Sequence, residues 1–160
     1  MHSENRDIPT DDSTPIGELT WLAGGEVEEC SLLLRFFGDD LEPDKITALL
    51  GVAPTTAARK SEEVTLWSKP KPAHTGMWLL DCERTDDTPD NQVQLLFGDL
   101  ADELSIWTDL AASYTAELKC HLFLKRWNRG TIFLPETMSA IAARHLSLNL
   151  DIYASVNQPD

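Results

Sequence analysis

The chain lacks most of what would tie it to a membrane, a metal or a disulfide framework. None of its apolar runs approaches the roughly 18 residues of a membrane-spanning helix. Its three cysteines, Cys30, Cys82 and Cys120, are odd in number and widely spaced, which argues against a disulfide scaffold and fits a reducing cytoplasm. No CxxC, HxH or HExxH spacing occurs. Cys120 and His121 are neighbours on a strand pattern and face opposite sides, so the convergent ligand set that zinc needs is missing. Gly-x-Ser-x-Gly is absent, and Gly24-Gly25 lacks the strand and helix that flank a phosphate loop. His74 is the one exposed candidate for acid–base work, and it reads better as a solvated loop histidine. The opening "MHSENRDIPTDDSTP" has neither a basic start nor an apolar centre, so it does not read as a secretory signal. A cytoplasmic, non-enzymatic protein with no cofactor and no metal is the expectation.

Bases are also scarce. Thirteen Lys and Arg stand against 27 Asp and Glu, a net charge of −14 over 160 residues. Residues 1–30 hold eight acids and one base, residues 81–117 hold ten acids and one base, and residues 118–148 hold five bases and one acid. Such a surface repels nucleic acid and anionic lipid and attracts basic proteins at salt-dependent rates. The plainer alternative is that the acid keeps a small protein soluble.

What is present is ordinary globular material: 42% hydrophobic and 25% charged residues, enough to bury a core without staples. Residues 1–25 read as a flexible tail in which Leu19, Trp21 and Leu22 could dock on the domain or a partner. Residues 26–155 read as one domain, and 156–160 as a short tail. A strand is expected over Cys30 to Phe37 and a helix from Pro43 to Gly51. A short strand follows around Val64 to Trp67, then an exposed loop "SKPKPAHTG", its prolines excluding regular pairing. A strand over Met77 to Cys82 leads to one long helix from Asn91 to about Ala112, with Thr88 as its cap and Pro89 in its first turn. Val93, Leu96, Leu100, Leu104, Trp107 and Ala111 share one face of it, with Asp99, Asp102, Glu103 and Asp109 roughly opposite. Glu117 to Trp127 alternates as a strand. A short strand at Thr131 to Leu134 enters a helix at Pro135, and Leu148 to Ser155 closes the domain. "LEPDKITALLG" and "LPETMSAIAA" echo one another when Pro43 is laid on Pro135, through common descent or through the same capping physics used twice. This order implies an α+β fold: a ferredoxin-like, mainly antiparallel sheet with helices on one face, extended by a C-terminal strand–helix–strand unit.

"FFGDDLEPDKITALLGVAPT", "ARK", "GMWLL", the acidic helix, "LPE" and "LNLDIY" together resemble a bacterial family known as domain of unknown function 4279, over about residues 30 to 153. The resemblance implies a small cytoplasmic α+β domain without an assigned reaction. Some similar small bacterial proteins serve as antidotes to secreted toxins.

Gly38-Asp39-Asp40 invites comparison with the carboxylate pairs that hold divalent ions. It ends a strand, however, and meets a helix-starting proline within a few residues. We read Gly38 as a permissive backbone position and one Asp as the cap of the helix.

Two constellations remain as binding candidates. Asp81, Glu83, Asp86, Asp87, Asp99, Asp102 and Glu103 could form one acidic field that steers a basic partner; they read equally as a solvated helix face. Arg59, Lys60, Trp67, Trp78, Lys125 and Trp127 could frame an anion or nucleotide pocket with tryptophan stacking. Buried tryptophans among solvated bases are the simpler explanation there. The expected function is a non-enzymatic domain that masks a basic partner, such as the immunity protein of a cognate toxin. A small-anion or nucleotide-handling enzyme or sensor is the alternative. The oligomeric state is left open.

Overall fold

A computed structural model of the chain describes residues 24–126 and 128–154. The expected docking segment Thr20–Leu22, Trp127 and the C-terminal tail lie outside the described residues.

Period-two alternation builds the centre of the sheet. In β1 (Glu29–Gly38), Cys30, Leu32, Leu34 and Phe36 are fully buried, while Leu33, Arg35 and Phe37 turn to the opposite face. β5 (Gly76–Asp81) and β6 (Thr115–Leu124) flank β1 antiparallel. β2 (Thr56–Ala58) pairs antiparallel beyond β5, and β7 (Ser147–Ala154) pairs parallel beyond β6. The sheet order is β2-β5-β1-β6-β7.

Four helices connect these strands: α1 (Pro43–Leu50), α2 (Pro89–Asp99), α3 (Leu104–Ser113) and α4 (Pro135–Ala143). The path β1–α1–β2–β5–α2/α3–β6 is the ferredoxin-like strand and helix sequence, and β6–α4–β7 is the added unit. Proline at the first turn starts α1, α2 and α4, where its missing N–H is no loss. Ile46, Leu50, Val93, Leu96, Phe97, Trp107, Leu110 and Ile141 pack with Leu32, Leu34, Phe36, Leu118 and Cys120 in one core, so the helices share one face of the sheet. On the other face a separate ribbon, β3 (Glu63–Leu66) and β4 (Lys69–Pro72), closes Val64 and Ala73 over Ala58, Met77 and Phe37.

Several local expectations need correction. Pro70 and Pro72 do pair, in β4, because a two-stranded ribbon leaves each strand an outer side where no N–H is required. The ribbon turns through Trp67 and Ser68, both left-handed, with φ of 50° and 68°; Trp-Ser gives none of the Asn-Gly signal that usually marks such a turn. β2 was not anticipated, residues 131–134 form no strand, and β6 ends at Leu124.

The long helix is two helices. Leu100 is extended, at φ −102° and ψ 164°, and buries its side chain. The Ala101 amide then donates to the Leu50 carbonyl of α1 at 3.1 Å, and the Ala101 carbonyl accepts from Trp107 Nε1 at 2.7 Å. Tertiary hydrogen bonds at the end of α1 thus outweigh the continuous helical pattern.

At the Gly38-Asp39-Asp40 turn, no side chain caps α1. Asp39 instead binds Lys60 and accepts from Thr75 Oγ1 at 2.9 Å. Gly38 does not have a positive φ; a Cβ there would sit 2.8 Å from the Tyr114 ring, so the requirement is steric.

Candidate functional site

The expected basic and aromatic constellation does not assemble. Trp78 is fully buried against Phe36 and donates Nε1 to Thr47 Oγ1 at 3.0 Å. Arg59 is held by Glu42 at 2.6 Å and lies 3.7 Å from Glu62, and Lys60 is held by Asp39. The Lys60 and Thr75 bonds keep the Asp39 carboxyl below its usual range, and the Arg59 bond does the same for Glu42. Trp67 stands at the tip of the β3–β4 ribbon, 89% exposed, with Lys71 near its ring.

Lys125 lies elsewhere, lining a shallow depression of about 330 Å³ with Arg84, Phe123 and Tyr153. There the Arg84 guanidinium lies 3.7 Å from the Phe123 centroid and Phe123 stacks on Tyr153 at 5.1 Å. Reasoning from sequence missed Arg84, Phe123 and Tyr153 as a group. The signal was available, since alternation along β6 places His121 and Phe123 on the helix-free face, and the parallel register sets Tyr153 opposite Phe123.

The acidic constellation assembles in part. A cleft of about 340 Å³ opens between the segment after β5 and one face of α2. Gln92, Leu95, Leu96 and Asp99 line it at helical spacings of three and four, and Cys82, Glu83, Thr85 and Asp87 form the facing wall. Three of the seven expected acids, Glu83, Asp87 and Asp99, therefore share one concavity. Asp81 sits opposite Leu33 in the sheet register and so projects from the helix-free face. Asp86 is exposed beside the cleft wall. Asp102 and Glu103 occupy the break between α2 and α3, where Glu103 accepts from Ser105 Oγ at 2.8 Å. Asp102 acts on Arg144, a residue nine-tenths buried whose guanidinium lies over Phe97 at 4.1 Å.

The cleft wall is firmly anchored. Cys30 and Thr85 exchange backbone hydrogen bonds of 2.9 and 3.0 Å. The Cys30 thiol donates to the Asp87 carbonyl at 3.3 Å. Burial, together with Cys120 and Asp87, pushes that thiol up to about 12, so it stays protonated and able to donate. Gln92 Nε2 reaches Thr85 Oγ1 at 2.7 Å and Cys30 Sγ at 2.9 Å. Asp87 accepts from the Thr88 amide and from Asn91, while Thr88 caps α2 through the Asn91 amide at 3.2 Å.

The distribution of ion pairs separates these acids from the rest. The described residues form seven salt bridges, whose acids are Glu28, Glu29, Asp39, Glu42, Glu62, Glu117 and Asp151. None of the nine acids between Asp81 and Asp109 forms one with a described residue. Among the described residues no group of three or more His, Cys, Asp or Glu is placed to hold a metal, and no helix is long and apolar enough to cross a membrane.

No curated protein and no solved structure matches the chain. The profile of the family described as Domain of unknown function (DUF4279) matches residues 28–155, which takes in every described strand and helix from β1 to β7. The chain belongs to that family.

Proposed function

We propose that this chain is a non-enzymatic binding domain that masks a basic protein in the bacterial cytoplasm, acting as an immunity protein that neutralises a cognate toxin by occlusion. The observation that carries the reading is the set of nine acids between Asp81 and Asp109 without a salt bridge to any described residue, three of them around one cleft. Charge left uncancelled projects a field that speeds and orients the approach of a basic surface. Leu95, 59% exposed at the cleft, adds an apolar contact of the kind that makes a docking site hold.

The test is capture with the tagged chain from host lysate at low and high salt, followed by purification of what is captured and titration against the chain. One basic protein, bound one to one and released more easily by salt, is the expected result. A column that retains no such protein at low salt would sink the reading.

A small-anion-handling protein is the second reading, and the depression formed by Arg84, Phe123, Lys125 and Tyr153 is what favours it. Binding of a small anion that is lost in Arg84→Ala and indifferent to the acidic cleft would put this reading first.

A further inference from the structure

The polar atoms of the α2 cleft specify more than negative charge. Gln92 is 8% exposed. Its amide nitrogen has two hydrogens to share among four acceptors within hydrogen-bond distance, Thr85 Oγ1 at 2.7 Å, Cys30 Sγ at 2.9 Å, the Cys30 carbonyl at 3.2 Å and the Asp87 carbonyl at 3.3 Å. Both carbonyls can only accept, so this end of the amide must be the nitrogen. Its carbonyl oxygen, Oε1, accepts from no described residue.

The one buried and unpartnered side-chain nitrogen or oxygen among the described residues is Arg144 Nε. Gln92 Oε1 therefore reaches the surface, and the surface that Gln92 lines is the cleft. A nine-tenths-buried side chain, its amide nitrogen held among Cys30, Thr85 and Asp87, thus offers a positioned acceptor to whatever enters. Glu83 and Asp99 add carboxylates, and no Lys, Arg or His lines the cleft. Leu95, Leu96 and Cys82 supply apolar surface between them. Burial raises the Cys82 thiol to about 11, with Asp81 and Asp99 adding to the effect, so it remains a neutral part of the lining.

We infer that this cleft is a pocket for a single arginine side chain of the basic partner, an inference that rests on the function proposed above. A guanidinium presents five N–H donors in a planar fork and can meet Gln92 Oε1 and the flanking carboxylates together. Its aliphatic stem lies along Leu95 and Leu96. Lysine, a compact and strongly hydrated point charge, suits the same set less well, because it surrenders more hydration to enter a partly apolar cleft.

The experiment is an NMR titration of the full chain with three capped tripeptides, glycyl-X-glycine with X as arginine, lysine or citrulline. Saturable shifts of the Gln92 side-chain amide and of the Leu95 and Leu96 methyls are expected with arginine. Lysine should bind at least about fivefold more weakly, and citrulline, the neutral isostere, should leave these signals in place. Asp99→Asn and Glu83→Gln, both at exposed positions, should each weaken the arginine response about three- to tenfold, with the core methyl spectrum unchanged as proof of folding. Equal responses to arginine and lysine, or arginine shifts that miss these residues, would overturn the pocket. Capture of a basic partner alongside either result leaves the masking reading intact. Failed capture with an arginine-selective cleft leaves the pocket and removes the masking reading.

Discussion

The acids around α1 and the acids around α2 carry the same charge into different surroundings. Near α1, Asp39 binds Lys60 and Thr75, and Glu42 and Glu62 flank Arg59. That charge is cancelled within a few ångströms and joins α1 to the segment after β2. Near α2, Glu83, Asp87 and Asp99 surround a cleft without a cation. Local pairing damps a field before it leaves the surface, whereas unpaired charge acts out to roughly a Debye length, about 8 Å at physiological salt. The α1 end is then internally neutralised, and on the function proposed above the α2 end is the part that would meet another molecule.

The sharpest way to break that division is through Trp78, which lies in the core beneath α1 with its indole N–H on Thr47. Trp78→Ala removes a large aromatic and strands the Thr47 hydroxyl, for an expected loss of about 3–5 kcal/mol of stability by urea unfolding. The folded fraction should retain its partner affinity. A stable variant with altered ligand binding would instead place Trp78 in a pocket.

Charge reversal tests the other end. Glu83→Lys combined with Asp99→Lys should lower partner affinity about 100-fold at low salt, with a smaller effect at high salt. Because both side chains are exposed, stability should stay within about 0.5 kcal/mol of the parent. The pair Asp39→Lys and Glu42→Lys, which changes the charge near α1 by the same amount, should change the affinity of the folded chain by less than about threefold. Equal losses from the two sets would show that only total charge matters.

The paired acids also leave a trace in pH. Hydrogen bonds from Lys60 and Thr75 depress the Asp39 carboxyl, and the hydrogen bond from Arg59 depresses Glu42. A folded-state value below the unfolded one means that the pairs stabilise the fold above the ordinary carboxylate range. Their contribution is lost as pH falls through the depressed values. Melting curves from pH 7 downward should therefore show a loss beginning near pH 4 that Lys60→Met and Arg59→Met reduce. No change in the acid limb of these variants would mean that the two pairs do not hold in solution.

How far such features are legible from sequence depends on whether they are local. The period-two pattern of Leu118, Cys120 and Leu122, the proline starts of α1, α2 and α4 and the Thr88 cap are set by neighbours in the chain, and each is observed. The break after Asp99 is set by a hydrogen bond from Ala101 to Leu50, some fifty residues away, and no helical periodicity announces it. The acidic group shows the same division. Helical spacing brings Gln92, Leu95, Leu96 and Asp99 together, but their meeting with Glu83 depends on the Cys30–Thr85 bridge between β1 and the segment after β5. Arg59 and Lys60 looked available because their partners, Glu42 and Asp39, stand across a turn that sequence spacing does not close.

Arg59 is the residue that sequence alone puts forward for an anion site, and its removal should do least. Its guanidinium is about half exposed, and so are both carboxylates it meets. Exposed pairs gain little Coulomb energy in water and lose side-chain entropy in holding two long chains together. Arg59→Ala should accordingly shift the melting temperature by less than about 2 °C and leave partner affinity unchanged. A handling site for small anions built on this arginine would lose its binding altogether, because the adjacent Lys60 is already committed to Asp39. Calorimetry of the parent and Arg59→Ala chains with inorganic phosphate separates the two. Parent binding that the variant abolishes would move the proposed functional surface from α2 to the α1 end, while no heat from either chain removes Arg59 as an anion site.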